Sequence, residues 1–428
     1  MRILKVYPNK RYLSWDDGEP FWYMGDTAWE LFHRLTREEV QEYLDIREDQ
    51  GFNVIQAVAL GEFDGLTAVN AYGRLPFILD PEGIPVVKPD DTGESYWKHV
   101  DWCIQEMGKR QMFVGLLPTW GDKFNLKWGK GPEIFTPENA YTYGKWIGER
   151  YGDYWNVIWI LGGDRPLECK RHRDIIDAMA KGIRKKDGNH LMTYHPCGET
   201  SSVDFVSEKD YIDFHTVQSG HGLGGLESYL LLRRTGEADE KPFMDSEPRY
   251  EDHPACFKPE WGCYWNEEDV RQNAYWDMME GVCGHTYGDH AVWGFNREKT
   301  DYFPYTWKEA LRHPGAEQMK YVKKLRLSRD FFDFRPAPEL IFQKELVLGH
   351  QCAGRGKDYA YIYTPYGLPI ETDLSVMGDG PVRLSWYDPR TGEEIREKIL
   401  PAKKALLVPP ESGKGKDWIA VIDKLQEM

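Results

Sequence analysis

Two segments of the sequence each place a carboxylate side chain directly after an apolar run. Residues 160–166 read Ile-Leu-Gly-Gly-Asp-Arg-Pro, and residues 242–248 read Pro-Phe-Met-Asp-Ser-Glu-Pro. If both runs are strands, their ends bring Asp164 and Glu247 into one cleft. Cleavage of a glycosidic bond requires such a pair, with one carboxyl group as proton donor and the other as nucleophile or base. The two segments therefore predict glycosidase chemistry, with Asp164 as general acid/base and Glu247 as nucleophile.

A purely structural role is the alternative for each carboxylate. Asp164 is followed by Arg165, and Glu247 lies two residues before Arg249, so each carboxylate could form a local ion pair. A catalytic acid needs a raised pKa, which a low-dielectric setting near a second negative charge supplies. The Gly-Gly pair before Asp164 lets the backbone bend sharply without side chains that would block a substrate. These features favour the catalytic interpretation.

Polar or aromatic side chains also follow the other apolar runs of the first 330 residues. Asp26 and Asp122 are rivals for either catalytic role, but we expect them to hold sugar hydroxyl groups, with Trp29 and Trp120 stacking or packing beside them. Because the ends of parallel strands meet at one edge, eight such endings indicate a ligand pocket. The side chains predicted to bind substrate are Asp26, Trp29, Trp120, Asp122, Lys123, Arg165, His195, Gln218, His221, Arg249, Tyr287, His290 and Trp293.

The segments that must position these residues alternate between short apolar runs and helical stretches. Helix starts are marked by Thr36 with acidic residues after it and by Thr136 before a proline. Eight strand–helix units predict an α/β fold, a (β/α)8 TIM barrel. An open doubly wound sheet is the alternative fold. It is less favoured because the GxGxxG turn typical of that fold is absent after the first strand. The predicted strands are residues 21–24, 53–60, 112–117, 156–161, 190–194, 212–217, 242–244 and 285–287.

The pattern changes after residue 335, where short alternating strands are separated by Gly, Pro and Asp turns. This pattern predicts a barrel over residues 1–335 and a small antiparallel β-sandwich over residues 336–428. Residues 1–20 are candidates for additional sandwich strands. Tyr359, Tyr361, Tyr363 and Trp386 occur at strand spacing, which favours a buried core that braces the barrel over an exposed sugar-binding platform.

Composition excludes several classes of protein. The net charge of −16 has the wrong sign for a nucleic-acid binder. No run of 18 apolar residues exists, so no membrane span is expected. The first eight residues lack the apolar stretch of a signal peptide, so either the protein is cytoplasmic or a leader has been removed, and the initial Met favours a cytoplasmic protein. Seven scattered cysteines form no CxxC pair, which fits a reducing compartment. The partner that we expect is a small oligosaccharide or glycoside, and the oligomeric state is left open.

The histidines do not show the spacing of a metal site. His195, His221, His285 and His290 lie near strand ends, but no HxH or HExxH pair is present. Histidines scattered through a pocket more often bond hydroxyl groups or orient a carboxylate. The sequence also lacks a GxSxG elbow and a phosphate-binding loop. We therefore expect neither a metal nor a cofactor.

Five motifs in the same order resemble the apiosidase-like glycoside hydrolases, family 140 and its relatives. They occupy residues 25–35, 116–123, 161–166, 218–222 and 284–288. The resemblance implies a (β/α)8 barrel followed by a β-sandwich described as collagen-binding. It also implies a retaining mechanism with the acid/base after strand four and the nucleophile after strand seven, which correspond to Asp164 and Glu247. Gly163-Asp164 stands where clan A glycoside hydrolases usually carry Asn-Glu, as in the apiosidase-like group. An aspartate is one methylene shorter than a glutamate, which implies that the substrate sits slightly deeper on that side.

The family resemblance also implies a substrate, namely apiose linked to galacturonic acid in a pectic side chain. Lys123, Arg165 and Arg249 could hold the uronate carboxylate or could be buried partners of nearby acidic residues. The main hypothesis is a retaining glycosidase that acts on a small plant-derived glycan. A non-catalytic carbohydrate-binding barrel protein is the second hypothesis, and a metal-dependent barrel hydrolase is the third.

Overall fold

This computed structural model describes residues 2–222, 227–342 and 349–425. In chain order the strands are β1 (Leu4–Val6), β2 (Leu13–Trp15), β3 (Pro20–Phe21), β4 (Tyr23–Thr27), β5 (Val54–Val58), β6 (Phe77–Leu79), β7 (Pro85–Pro89), β8 (Phe113–Leu117), β9 (Val157–Gly162), β10 (Met192–His195), β11 (Thr200–Ser201), β12 (His215–Gln218), β13 (Phe243–Asp245), β14 (Gly284–Tyr287), β15 (Arg335–Pro336), β16 (Cys352–Arg355), β17 (Tyr359–Thr364), β18 (Ile370–Asp373), β19 (Pro381–Asp388), β20 (Glu393–Pro401), β21 (Lys404–Leu407) and β22 (Trp418–Lys424). The α-helices are α1 (Leu31–Arg34), α2 (Arg37–Asp49), α3 (Tyr96–Lys109), α4 (Pro137–Tyr151), α5 (Lys170–Arg184), α6 (Val203–Val206), α7 (Ser228–Ala238), α8 (Glu267–Met279), α9 (Trp307–Ala310) and α10 (Pro314–Leu327).

A curled, mostly parallel sheet carries the candidate site. Its nine strands run in the order β10-β9-β8-β5-β4-β14-β13-β12-β11, and only the short β11 is antiparallel to its neighbour. Each of the eight predicted strands overlaps one of the eight parallel strands. Strands β5, β8 and β9 are buried along their whole length, as their nearly continuous apolar sequences predict for a sheet covered on both faces.

The two ends of the parallel series approach each other at β10 and β12. No backbone ladder joins these two described strands, but side chains and one backbone bond connect them. The Thr193 hydroxyl donates to the Phe214 carbonyl, and the Thr216 hydroxyl donates to the Tyr194 carbonyl, each over 2.6 Å. The Asp213 amide also donates to the Met192 carbonyl over 2.8 Å. The sheet therefore curls far enough for its edge strands to contact.

The helices that cover the sheet begin where the capping signals predict. Thr36 and Glu39 form a reciprocal capping box at the start of α2. Thr136 caps α4, and Pro137 occupies its first turn, where the missing amide hydrogen costs nothing. Among the described helices, none has both the length and the apolar composition needed to cross a lipid bilayer.

The first 20 residues do not add strands to the C-terminal sheets, so that expectation is wrong. Strands β1, β2 and β3 form a separate three-stranded antiparallel sheet. Trp15 of β2 packs on Phe113 and Trp155, with ring centroids 5.5 and 6.4 Å away. These aromatic contacts hold the small sheet against β8 and the start of β9, because burying these rings removes a large apolar area from water.

The C-terminal region is antiparallel, as predicted. It contains a six-stranded sheet in the order β15-β16-β17-β22-β19-β20 and a two-stranded sheet of β18 and β21, with a hydrophobic cluster between them. Tyr361 and Tyr363 are fully buried, and the Tyr361 hydroxyl donates to the Leu325 carbonyl of α10. Arg271 of α8 forms a two-bond ion pair with Asp417. The aromatic face of the six-stranded sheet therefore packs on α8 and α10.

Candidate active site

A cavity of about 720 Å³ opens at the carboxyl ends of the parallel strands. Residues that follow or end each of the eight strands contribute to its wall, as expected for a sheet whose strand ends converge. Both candidate catalytic carboxylates are in this wall. The lining residues are Trp29, Glu62, Phe63, Trp120, Trp128, Asp164, Cys197, Gly198, Glu199, Gln218, Gly220, His221, Gly222, Glu247, Tyr250, His253, Phe257, Trp293, Tyr302 and Phe303.

Glu247, two residues beyond β13, is held by donors on both carboxylate oxygens. His195 Nε2 donates to Oε2 over 3.1 Å, and His221 Nε2 donates to Oε1 over 3.1 Å. Gln218 Nε2 also donates to Oε1, over 3.0 Å. A carboxylate can only accept, so both imidazole rings must carry a proton on Nε2. Three neighbouring strands, β10, β12 and β13, thus position one anionic group.

The histidine bonds decide the charge of Glu247. Burial raises the pKa of a carboxyl group, but hydrogen bonds from His195 and His221 favour the charged form more strongly. Together they hold the pKa of Glu247 at about 2. Glu247 is therefore a carboxylate at neutral pH, with fixed geometry, and a carboxylate of this kind can act as a nucleophile. The Tyr250 hydroxyl, which accepts from Trp29 Nε1 over 3.2 Å, also bonds Glu247.

A strained turn positions Asp164 after β9. The φ angles are +92° at Gly162, +110° at Gly163 and +52° at Asp164, all in the left-handed region that L-residues with side chains avoid. A Cβ on Gly162 would lie 2.3 Å from the His195 carbonyl oxygen, and one on Gly163 would lie 2.8 Å from the Gly121 amide nitrogen. The Gly-Gly pair is therefore needed both for conformation and for close packing.

We expect Gly162→Ala to destabilise the protein by at least about 2 kcal/mol, because it adds both backbone strain and a contact with the His195 carbonyl. Denaturant unfolding followed by fluorescence measures the change. Gly188→Ala is the matched control, since a Cβ there meets no atom within 4 Å and the backbone is not in the left-handed region. Equal stability of the two variants would contradict this account of the turn.

Asp164 lines the cavity and also forms the local ion pair that was its structural alternative. Arg165 donates to Oδ2 over 2.7 Å, and Trp128 Nε1 donates to the same oxygen over 3.0 Å. No described residue donates to Oδ1, and the side chain is 21% exposed, so Oδ1 is the oxygen available to a substrate. Burial and then the negative charge of Glu247 raise the pKa of Asp164, while Arg165 opposes them. The local pairing of Glu247 with Arg249 does not occur.

Five of the other predicted substrate-binding residues line the cavity. The Trp29 and Trp120 rings lie 5.2 Å apart at 52°, and the His195 ring packs 5.3 Å from Trp29. His195 itself is fully buried and contacts Glu247, so it supports a cavity residue rather than forming the wall. The five that form the wall are Trp29, Trp120, Gln218, His221 and Trp293.

Asp26 and Tyr287 were predicted to bind substrate, and the structure places both away from the cavity. Asp26 is fully buried and accepts from Arg47 Nε over 2.7 Å and from the Tyr43 hydroxyl. The Tyr287 hydroxyl donates to Glu251 over 2.6 Å. Both side chains instead make polar contacts within the protein, because a buried charge or hydroxyl group needs a partner.

The predictions for Asp122, Lys123 and Arg249 also need correction. Asp122 and Lys123 form a fully buried ion pair at 2.9 Å. Arg249 donates to Glu227 over 3.2 Å, outside the main cavity. Arg165 is fully buried as well, and its guanidinium donates to the carboxylates of Asp164 and Glu62. These cations therefore pair with acidic neighbours, and none of them is among the residues that line the cavity.

His290 lies behind the wall rather than in it. Its Nε2 donates to the Tyr302 carbonyl over 2.9 Å, and its ring stacks on Phe303 at 4.4 Å. Tyr302 and Phe303 themselves line the cavity, so His290 supports them.

Sequence reasoning missed several lining residues. The strand-end rule places Glu62 and Tyr250 after the second and seventh parallel strands, but no substrate-binding role was predicted for either residue. Trp128, which is 59% exposed, and Phe257, which is 58% exposed, lie on long loops with no local signal. The lining side chains outside the predicted set are Glu62, Phe63, Trp128, Cys197, Glu199, Tyr250, His253, Phe257, Tyr302 and Phe303.

Within the described ranges, one group of three side chains has the spacing of metal ligands. His313 Nδ1 lies 2.9 Å from Asp252 and 2.8 Å from Asp289. Burial lowers the pKa of His313, but the two carboxylates outweigh it and raise the pKa to about 10. The two carboxyl groups therefore favour the protonated form of His313, and no member of the group lines the cavity.

Comparisons with known proteins bear on this site. The family model described as "Apiosidase-like, catalytic domain" matches residues 7–333, and "Putative collagen-binding domain of a collagenase" matches residues 336–423. A crystal structure of a glycoside hydrolase family 5 from Bacteroides vulgatus ATCC 8482 is 30% identical, covers 99% of this chain and 93% of its own, and has a TM-score of 0.89. Another structure, described as a glycoside hydrolase, is 29% identical over 100% of this chain and 98% of its own, also with a TM-score of 0.89. A search of the curated proteins finds no match.

Proposed function

This chain belongs to the apiosidase-like family and is a glycosidase, and we propose that it acts with retention of configuration through Asp164 and Glu247. The observation that carries the proposal is the difference between the two carboxyl groups in one cavity. Two histidines keep Glu247 ionised, whereas burial and the charge of Glu247 favour the protonated form of Asp164. A pair of carboxyl groups with separated pKa values supports one acid and one ionised group, and in a retaining enzyme the ionised group is the nucleophile.

In the first step a Glu247 oxygen attacks the anomeric carbon of the bound sugar. The bond from that carbon to the leaving oxygen breaks, and Asp164 transfers its proton to that oxygen. The leaving group departs as an alcohol, the sugar is joined to Glu247 as an ester, and Asp164 is left as a carboxylate.

In the second step Asp164 acts as a base. It removes a proton from a water molecule, whose oxygen attacks the anomeric carbon and releases Glu247 as a carboxylate. Asp164 regains its proton, and the two inversions give net retention. His195 and His221 stabilise the charge that returns to Glu247, because hydrogen bonds to an ionised acceptor are the stronger kind.

We infer that the sheet is a (β/α)8 barrel with its seam between β10 and β12. The eight parallel strands in their order, and the threonine bonds across the seam, support this interpretation. A barrel accounts for the convergence of all eight strand ends on one cavity.

The lining charges favour a neutral sugar in the cavity. Glu62, Asp164, Glu199 and Glu247 contribute carboxyl groups, and no lysine or arginine is among the described lining residues. Like charges brought together without compensation oppose binding. Apiose is neutral, so a pectic apiose-containing substrate would place apiose inside and its galacturonate at the mouth. Two lysine ammonium groups lie near lining aromatic rings, Lys130 at 5.8 Å from the Phe63 ring centroid and Lys127 at 5.7 Å from that of the exposed Trp128.

The test is a panel of aryl glycosides and apiose-containing pectic oligosaccharides, followed by NMR of the first anomer released. We expect hydrolysis of at least one neutral glycoside with retained configuration. The matched uronide, with a carboxylate on the ring inside the cavity, is expected to react at least about 100-fold more slowly, because of like-charge repulsion.

Release of the inverted anomer would contradict the double-displacement mechanism. Faster cleavage of the uronide than of its neutral partner would contradict the assignment of a neutral sugar to the cavity.

A further inference from the structure

A single buried guanidinium bridges two cavity-lining carboxyl groups. Arg165 is fully buried, and its Nη1 donates to Asp164 Oδ2 over 2.7 Å while its Nη2 donates to Glu62 Oε1 over 2.9 Å. Asp164 and Glu62 side chains are 21% and 22% exposed, so both face the cavity. Glu62 follows β5 and Asp164 follows β9, so different strand ends supply the two acids.

The charges in this cluster do not cancel unless it holds a proton. Two carboxylates and one guanidinium carry a net charge of −1, which a largely buried site disfavours. Adjacent cations do not make up the difference, because Lys123 is already paired with Asp122 and Glu247 adds a further negative charge. Holding one proton makes the cluster neutral. Asp164 Oδ1, to which no described residue donates, is a place for that proton.

We propose that Glu62 is a positioning residue that keeps Asp164 protonated, because its carboxylate competes for Arg165 and the two acids share one proton. This proposal rests on the proposed role of Asp164 as general acid. Without Glu62, the whole guanidinium charge would stabilise ionised Asp164. A proton donor would then be lost at neutral pH.

The direction of the pKa shifts supports this sharing. Burial raises the pKa of Glu62, Arg165 lowers it, and the charges of Asp164 and Asp122 raise it again, giving a pKa of about 7. The charge of Asp164 therefore opposes ionisation of Glu62, and by reciprocity a charge on Glu62 opposes ionisation of Asp164. The charged or titratable groups that face them are Glu30, Asp122, Lys123, Arg165, Tyr194, His195, Cys197 and Glu247.

The experiment compares wild type with Glu62→Gln on two substrates that differ only in leaving group. With an alkyl or sugar leaving group, which needs protonation, the alkaline limb of kcat/KM should move to lower pH by about one unit. Above that limb the rate should be about 10-fold lower. With a dinitrophenyl leaving group, which needs no proton, the loss in kcat/KM should be several-fold smaller than with the alkyl or sugar leaving group, and the alkaline limb should not move.

Asp64→Asn is the matched control. It removes a carboxylate on the same loop, but Asp64 is about half exposed and pairs with Lys130 at 3.2 Å rather than with Arg165. Its alkaline limb should move by less than about 0.3 units, because exposed charges interact weakly. Glu62→Asp, which keeps the charge, should restore most of the wild-type pH profile.

Equal losses on both substrates with an unmoved alkaline limb would overturn the proposal and would indicate that Glu62 only binds sugar or supports the fold.

A second measurement does not depend on activity. In full-length protein labelled at the side-chain carboxyl carbons, NMR should show coupled titration of Asp164 and Glu62, and Glu62→Gln should lower the Asp164 midpoint by about one unit. An unchanged midpoint would also overturn it. Absence of any glycosidase activity would instead contradict the proposed function.

Discussion

Replacing Glu247 by glutamine is expected to lower kcat by at least about 10⁴-fold, because no covalent sugar ester can form without the nucleophile. Glutamine has nearly the same shape as glutamate, so the cavity walls formed by Trp29, Trp120 and Tyr250 should be retained in the variant. Sugar binding should therefore persist while turnover is lost. Initial rates on the best substrate of the panel, with ligand binding measured by calorimetry, test this separation.

A fluorinated sugar whose covalent intermediate hydrolyses slowly can identify the nucleophile directly. A 2-deoxy-2-fluoro glycoside with a good leaving group should add one sugar mass to wild-type protein, and peptide mapping should place the label on Glu247. Glu247→Gln should remain unlabelled. A label on Glu62 or Glu199, or near wild-type turnover by Glu247→Gln, would disprove the assignment of the nucleophile.

Asp164→Asn is expected to show a loss that depends on the leaving group. With a poor leaving group kcat/KM should fall about 10²–10⁴-fold, since proton donation to the departing oxygen is lost. With a dinitrophenyl leaving group the first step should be largely preserved, so the glycosyl-enzyme should accumulate. Asparagine is among the residues best tolerated at positive φ, so the turn at φ +52° should be retained.

Azide provides the control for this variant. It is an anionic nucleophile that needs no base, so it should replace water in the second step and release a glycosyl azide of retained configuration. Wild-type enzyme should give no such product. If Asp164→Asn lost the same factor on both leaving groups and was not rescued by azide, Asp164 would not be the acid/base.

Local patterns in the sequence were enough to predict where strands end. Apolar runs such as that before Asp164 must be buried, and a buried strand in a parallel sheet ends at the edge where its neighbours end. Asp164 and Glu247 both line the cavity for this reason. Trp29 and Trp120, a few residues beyond their strands, could be placed by the same rule.

The expectation that polar residues near strand ends line the cavity fails when the residue lies inside a strand or forms an ion pair within the protein. Asp26 is in β4 and faces Arg47 and Tyr43 of α2, because successive side chains of a strand point to opposite faces. Lys123 lies six residues beyond the end of β8 and pairs with Asp122 instead of facing the cavity. Sequence spacing does not reveal which of these partners a charge will take.

Taken by itself, the sequence determined the strand order along the chain, the capped helices and the two strand ends that carry the carboxyl groups, because burial of apolar runs and helix capping are local properties. Only the tertiary structure decided which polar groups face the cavity. In the folded protein His195 and His221 contact Glu247, and Arg165 lies between Asp164 and Glu62. Trp128, on the loop that follows β8, contacts Asp164. These contacts join segments far apart in the chain, and a buried charge selects its partner by distance in space.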